Sequence, residues 1–196
     1  MFFSAGGDPA VLARLEQGGA FVQMGADGAH TASAKVSGSS VTYPGLYPGV
    51  DLRYTVTPQG LKEQIVLTDA RAATEAGANG LSFTLKVGGF VPRLLLGGAI
   101  GLYGTEAADP VFVIPAPYMA DAHPDANSPY GTSYSPKVTQ SMSFDKASGV
   151  LKLTVRPDAS WLKASARVFP VVIDPTILEA PSGRRGLPPA HRMAGA

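Results

Sequence analysis

With 196 residues and 20.2 kDa, the chain has room for one ordinary domain, with or without a tail. Its 23 Gly and 17 Pro exclude a long helix bundle, because both residues penalise helix interiors, while 45% apolar and 16% charged residues favour collapse over disorder. The net charge of +1 shows no basic field for nucleic acid and no acidic field for a cationic partner, and the lack of cysteine excludes disulfides, thiolate metal sites and cysteine nucleophiles.

Asp8, Pro9 and a shared face of Val11, Leu12 and Leu15 predict a short helix over residues 8–17, ended by Gly18-Gly19. The apolar period then changes to two. Strands are predicted at 20–24, 31–36 and 41–43, the last stopped by Pro44-Gly45. Val50, Leu52, Tyr54 and Val56 alternate against Asp51, Arg53 and Thr55, and Pro58-Gln59-Gly60 turns the chain back into 61–67, which predicts an antiparallel hairpin. Residues 69–80 are Ala-rich, with Gly77 and Gly80, and are expected to be a surface loop. Further strands are expected at 81–87, 111–114, 138–144, 151–155 and 169–173. A helical turn or two at 157–167 carries Trp161, expected to be buried near Val171 and Ile173.

Short strands with a turn signal about every ten residues predict a mainly all-β fold: an antiparallel sandwich or open barrel-like domain with one or two short helices. The expected layout is a helical lead-in at 1–18, a β-domain at 19–177 and a disordered Arg/Pro-rich tail at 178–196. No stretch reaches the ~18 apolar residues of a membrane span. The first residues lack the basic and apolar regions of a secretory signal, so the chain is expected to be leaderless or a piece of something longer.

Chemistry-bearing motifs are sparse. There is no Gly-x-Ser-x-Gly elbow, no phosphate loop and no His-Glu-x-x-His pair. Asp121, Asp125 and Asn127 place oxygen ligands at alternate positions, the spacing of a calcium loop, but His123 stands in one ligand slot and no bidentate Glu follows. Calcium is therefore the one candidate cofactor, against an expectation of none. Lys62-Glu63 interrupts an apolar strand. Such a pair reads either as a polar edge strand that resists aggregation or as one inward charge seeking Arg53 or Asp51. The loop 116–136 is long for a compact domain and rich in tyrosine; Tyr118, Tyr130 and Tyr134 are candidates for stacking on a sugar ring.

Three stretches, in this order and spacing, form a recognisable ensemble. They are Val41-Thr42-Tyr43-Pro44-Gly45-Leu46-Tyr47-Pro48-Gly49-Val50-Asp51-Leu52-Arg53-Tyr54, then Gly60-Leu61-Lys62-Glu63-Gln64-Ile65-Val66-Leu67, then Trp161-Leu162 with Phe169-Pro170-Val171-Val172-Ile173-Asp174-Pro175-Thr176. Together with the segment from Phe112 to Asp121, they resemble the β-rich segment preceding the DNRLRE module in large secreted bacterial RHS/YD-repeat and wall-associated proteins, many of which carry C-terminal toxins. The resemblance implies an extracellular or cell-wall-associated setting beside neighbouring modules of a larger polypeptide. The expectation is a non-catalytic structural or connector module. The runner-up is a carbohydrate-binding module that meets cell-wall glycan through the loop 116–136, and a hydrolase is the third reading. No nucleic acid partner is expected.

Overall fold

The computed structural model describes residues 1–180, which form strands β1 (Phe2–Phe3), β2 (Ala13–Gln17), β3 (Ala20–Ala26), β4 (Lys35–Ser37), β5 (Ser40–Tyr47), β6 (Val50–Thr57), β7 (Gly60–Leu67), β8 (Leu81–Gly88), β9 (Phe90–Leu94), β10 (Ile100–Gly104), β11 (Pro110–Ile114), β12 (Tyr118–Pro124), β13 (Thr132–Ser135), β14 (Val138–Asp145), β15 (Val150–Pro157), β16 (Val171–Asp174) and β17 (Ile177–Glu179). Two helices, α1 (Ala70–Asn79) and α2 (Ala159–Leu162), complete the fold. Every strand pairing is antiparallel. The mainly all-β expectation holds.

The first sheet has the order β1-β2-β3-β8-β15-β14. Period-two alternation builds it: Leu81, Phe83, Leu85 and Val87 of β8 and Leu151, Leu153 and Val155 of β15 are buried, while Lys86, Lys152 and Arg156 are exposed. The second sheet runs β13-β12-β16-β7-β17-β11-β10-β9, with β6, β5 and β4 joined in turn to the free side of β7. Met24, Phe83, Leu85 and Leu153 of the first sheet meet Glu63, Ile114 and Ile177 of the second around one small cavity, so the two sheets share a single core. Each fully buried Leu, Ile or Phe contributes about 1.5–3 kcal/mol.

The β6–β7 hairpin is paired as expected, from Val50 opposite Leu67 to Thr57 opposite Gly60. Several other expectations are corrected. Residues 8–17 are not a helix. Asp8 caps a tight turn, accepting from the Ala10 amide at 2.9 Å, and residues 13–17 then form β2 against β3. Residues 69–80 are not a loop but helix α1, capped by the Asp69 carboxylate on the Ala72 amide at 2.9 Å. The small residues Ala72, Ala73, Ala76 and Gly77 form its buried face, and Gly77 lies against Ala159 of α2. Pro44-Gly45 does not stop β5, which continues to Tyr47 across a register shift.

The loop 116–136 is largely β12 and β13. Leu178 and Glu179, assigned to the tail, belong to β17 and pair with β7 and β11. Ala180 is also held in place, its amide donating to the Val111 carbonyl at 2.9 Å, and residues 181–196 of the expected tail lie outside the described residues. Trp161 is only partly buried.

Candidate functional site

One interruption in the second sheet organises its polar groups. Along one side of β7, β17 pairs with Gly60 and Leu61, and β16 pairs with Ile65, Val66 and Leu67. Between them Pro175-Thr176 breaks the strand just after Asp174, opposite Lys62-Glu63. The alternation of β7 sends Lys62 outward and Glu63 inward. β7 is thus an interior strand, which removes the polar-edge reading of Lys62-Glu63.

Glu63 is 6% exposed and accepts a hydrogen bond from the Tyr54 hydroxyl at 3.1 Å. Burial raises its pKa to about 8; the Tyr54 bond opposes that rise and the nearby Asp174 charge adds to it. Its partner is Tyr54, not Arg53 or Asp51. Burial pushes the Tyr54 hydroxyl well up, and the Glu63 charge adds to the effect. The carboxyl lines a small cavity walled by Met24, Phe83, Leu85, Ile114, Leu153 and Ile177, with room for a water molecule at most.

On the outer side, Asp174 receives Lys62 Nζ at 3.0 Å, the Tyr118 hydroxyl at 3.1 Å and the Thr176 hydroxyl. Tyr118 and Asp174 are cross-strand partners. Burial, followed by the Asp174 charge, holds the Tyr118 hydroxyl far above its usual range. Tyr130 lies flat on Tyr118, with centroids 4.0 Å apart and planes 11° apart, and Tyr134 meets Tyr130 edge-on at 5.1 Å. The structure thus brings Tyr118, Tyr130 and Tyr134 into one cluster. A plane-parallel pair flanked by an edge-on ring offers a π surface to a ligand. On the same outer face, Lys35, Thr42, Arg53 and Gln64 form one cross-strand row over β4, β5, β6 and β7.

Asp121, Asp125 and Asn127 are not brought together around a common point. Asp121 is buried and binds Arg167 Nη1 at 2.7 Å, while its other oxygen accepts from the His123 amide at 2.9 Å. The Asp125 carboxylate closes its own turn on the Asn127 amide at 2.9 Å. Among the described residues, no group of three or more His, Cys, Asp and Glu could hold a metal ion. Arg167 also stacks on Trp161, 3.9 Å from the ring centroid, and donates to the Ser133 hydroxyl at 3.1 Å. Sequence reasoning missed Arg167, because its partner lies 46 positions away and no local spacing announces the pair.

These features define a two-sheet antiparallel β-domain with a polar core at a broken strand and an aromatic cluster on its outer face. Among curated proteins the chain is similar to the tRNA nuclease WapA of Bacillus subtilis strain 168, at 30% identity over 146 residues. It is similar to the same degree to the tRNA(Glu)-specific nuclease WapA of Bacillus subtilis subsp. natto and the tRNA3(Ser)-specific nuclease WapA of Bacillus spizizenii. The alignment covers 74% of this chain and 6% of each relative. No protein-family profile matches the chain, and no solved structure does. The nuclease names overturn two expectations, that of a non-catalytic connector or glycan-binding module and that of a non-enzyme. They also remove the ground for excluding nucleic acid, which rested on net charge alone. No helix among the described residues is long and apolar enough to cross a membrane.

Proposed function

We propose that this chain is part of a tRNA-directed nuclease polypeptide in an extracellular or wall-associated setting, beside further modules of that polypeptide. The observation that carries the reading is the 30% identity over 146 residues to relatives each named a tRNA nuclease. The likeness of the motif ensemble to secreted, toxin-bearing bacterial proteins supports the setting.

The outer face of the second sheet is where this chain would meet RNA. Aromatic rings stack on any base, at about 1–3 kcal/mol per base, and the Tyr118–Tyr130–Tyr134 cluster supplies such rings. Lys35 and Arg53, exposed in their cross-strand row, would take phosphate oxygens, which position a nucleic acid without reading its sequence. Glu63, sealed in the core, takes no part in contact.

Fluorescence anisotropy of labelled tRNA titrated with the chain tests contact, and a denaturing gel of the same mixture, and of tRNA with the longer polypeptide, tests cleavage. The expected result is salt-dependent binding that Tyr130→Ala weakens by about tenfold, with tRNA cut by the longer polypeptide. Intact tRNA with the longer polypeptide, together with no anisotropy change at low salt, would overturn the reading.

A further inference from the structure

The hairpin joining β9 to β10 ends in Leu94-Leu95-Leu96-Gly97-Gly98; Leu94 and Leu96 are turned outward, while Leu95 is half-buried against Gly101 of β10. Leu94 is 59% exposed and Leu96 wholly so. Soluble surfaces carry scattered single leucines, but a contiguous exposed apolar patch marks a contact site.

The tip is held in shape. The Leu95 amide donates to the Ala99 carbonyl at 2.8 Å and the Gly98 amide to the Leu95 carbonyl at 3.2 Å. Gly97 and Gly98 have φ of +78° and +84°, backbone that only glycine takes without strain. Gln140 of β14 anchors the base of the tip, its Nε2 donating to the Gly98 carbonyl at 2.7 Å and the Pro115 carbonyl at 3.0 Å. Leu94 and Leu96 are therefore projected by a braced turn.

The β9–β10 hairpin, residues 90–104, carries a single charged side chain, the cation Arg93. Arg93 adjoins the leucines, its guanidinium 4.4 Å from the centroid of the Tyr103 ring. Between residues 81 and 105 the sequence contains Lys86 and Arg93 and no Asp or Glu. A narrow, convex, apolar tip with a cation at its shoulder is poorly matched to a rigid protein surface, which would need an enclosing socket. A fluid lipid layer closes around such a tip and supplies anionic headgroups at the depth of the cation.

The geometry points to a membrane-contact loop: Leu94 and Leu96 enter the boundary between headgroups and acyl chains of an anionic lipid surface, and Arg93 meets a headgroup phosphate. The inference is independent of the nuclease reading. A single tip of this size gives reversible, not permanent, attachment.

Co-sedimentation of the full chain with vesicles of phosphatidylglycerol and phosphatidylcholine tests it. Wild-type protein should pellet with the anionic vesicles, and the double substitution Leu94→Asp, Leu96→Asp should lower the partition at least about tenfold. Arg93→Gln should lower it about fivefold, the effect of the ~1 kcal/mol a basic residue gains at such a surface. Leu96→Trp should add emission that shifts to the blue on vesicle addition. All three side chains, Arg93, Leu94 and Leu96, project from the surface, so unchanged thermal melting checks that each variant is folded. Three results would overturn the proposal: wild type that stays in the supernatant, a double variant that pellets like wild type, or a dimer in solution that Leu96→Asp dissociates.

Discussion

Tyr54 and Glu63 are direct cross-strand partners in the β6–β7 hairpin, and both side chains enter the core, where the Tyr54 hydroxyl donates to the Glu63 carboxyl at 3.1 Å. Tyr54 in turn meets Tyr43 edge-on at 6.2 Å, and the Tyr43 hydroxyl donates to the Leu12 carbonyl at 2.6 Å. A polar thread thus runs from β7 through the tyrosines to the chain entering β2. Each donor in it has an acceptor, as buried polar groups require.

This relationship sets a pH dependence. The folded pKa of Glu63, about 8, lies above its ordinary value of 4.5. The folded state therefore holds this proton more tightly than the unfolded state. The stability tied to it is full below pH ~4.5 and is lost as pH rises through about 8. Glu63→Gln preserves an acceptor for Tyr54 and cannot ionise. Its stability relative to wild type should rise by about 2 kcal/mol or more between pH 5 and pH 8.5. Urea unfolding at the two pH values measures the difference; equal values at both would show that Glu63 does not titrate in this window.

The buried pair Asp121–Arg167 gives a second prediction. Asp121→Ala leaves the guanidinium against Trp161 with no carboxylate, and its Nε already has no partner. Removing one member of such a pair costs about 3–5 kcal/mol. Replacing both, Asp121→Leu with Arg167→Met, should cost clearly less than the sum of the single changes. A double-mutant cycle by chemical denaturation measures the coupling, and additive losses would count against a direct interaction.

A third prediction concerns the seam between the β5–β6 turn and α1. Gly49 has φ of +71°, and a Cβ there would lie 2.9 Å from the Ala72 Cβ and 3.1 Å from the Asp69 carboxylate. Gly49→Ala combines backbone strain with a clash and should destabilise by about 1–3 kcal/mol. Asp69→Ala, which removes only the cap, should cost about 1 kcal/mol. Thermal melts of both variants test the ranking.

What could be read in advance follows from the range of the forces involved. The β6–β7 and β14–β15 hairpins were legible because alternation and a turn lie within twenty residues. Asp8-Pro9 looked like a helix start, yet the alternating burial of Ala13 and Leu15 against β3 outweighed that local signal. The alanines of 70–79 resembled a loop because small size, not a wide apolar face, is what lets α1 pack on α2. The stacking of Tyr130 on Tyr118 was within reach of sequence reasoning as a cluster, since all three tyrosines lie in one segment. The capture of Asp121 by Arg167 and of Asp174 by Lys62 was not, because those partners meet only when distant strands become neighbours.

The place of β17 also governs the order in which a ribosome can build this domain. Strands β4 to β7 and β9 to β11 leave the exit tunnel as two separate meanders, and among the described residues the strand that joins them, β17, begins at Ile177. Until then the facing edges of β7 and β11 stay open, holding unpaired backbone groups that invite strand addition from other chains. Closure at so large a sequence separation is slow. The nascent domain therefore remains exposed to mispairing until β17 has emerged, a period in which chaperone cover at those two edges would matter most.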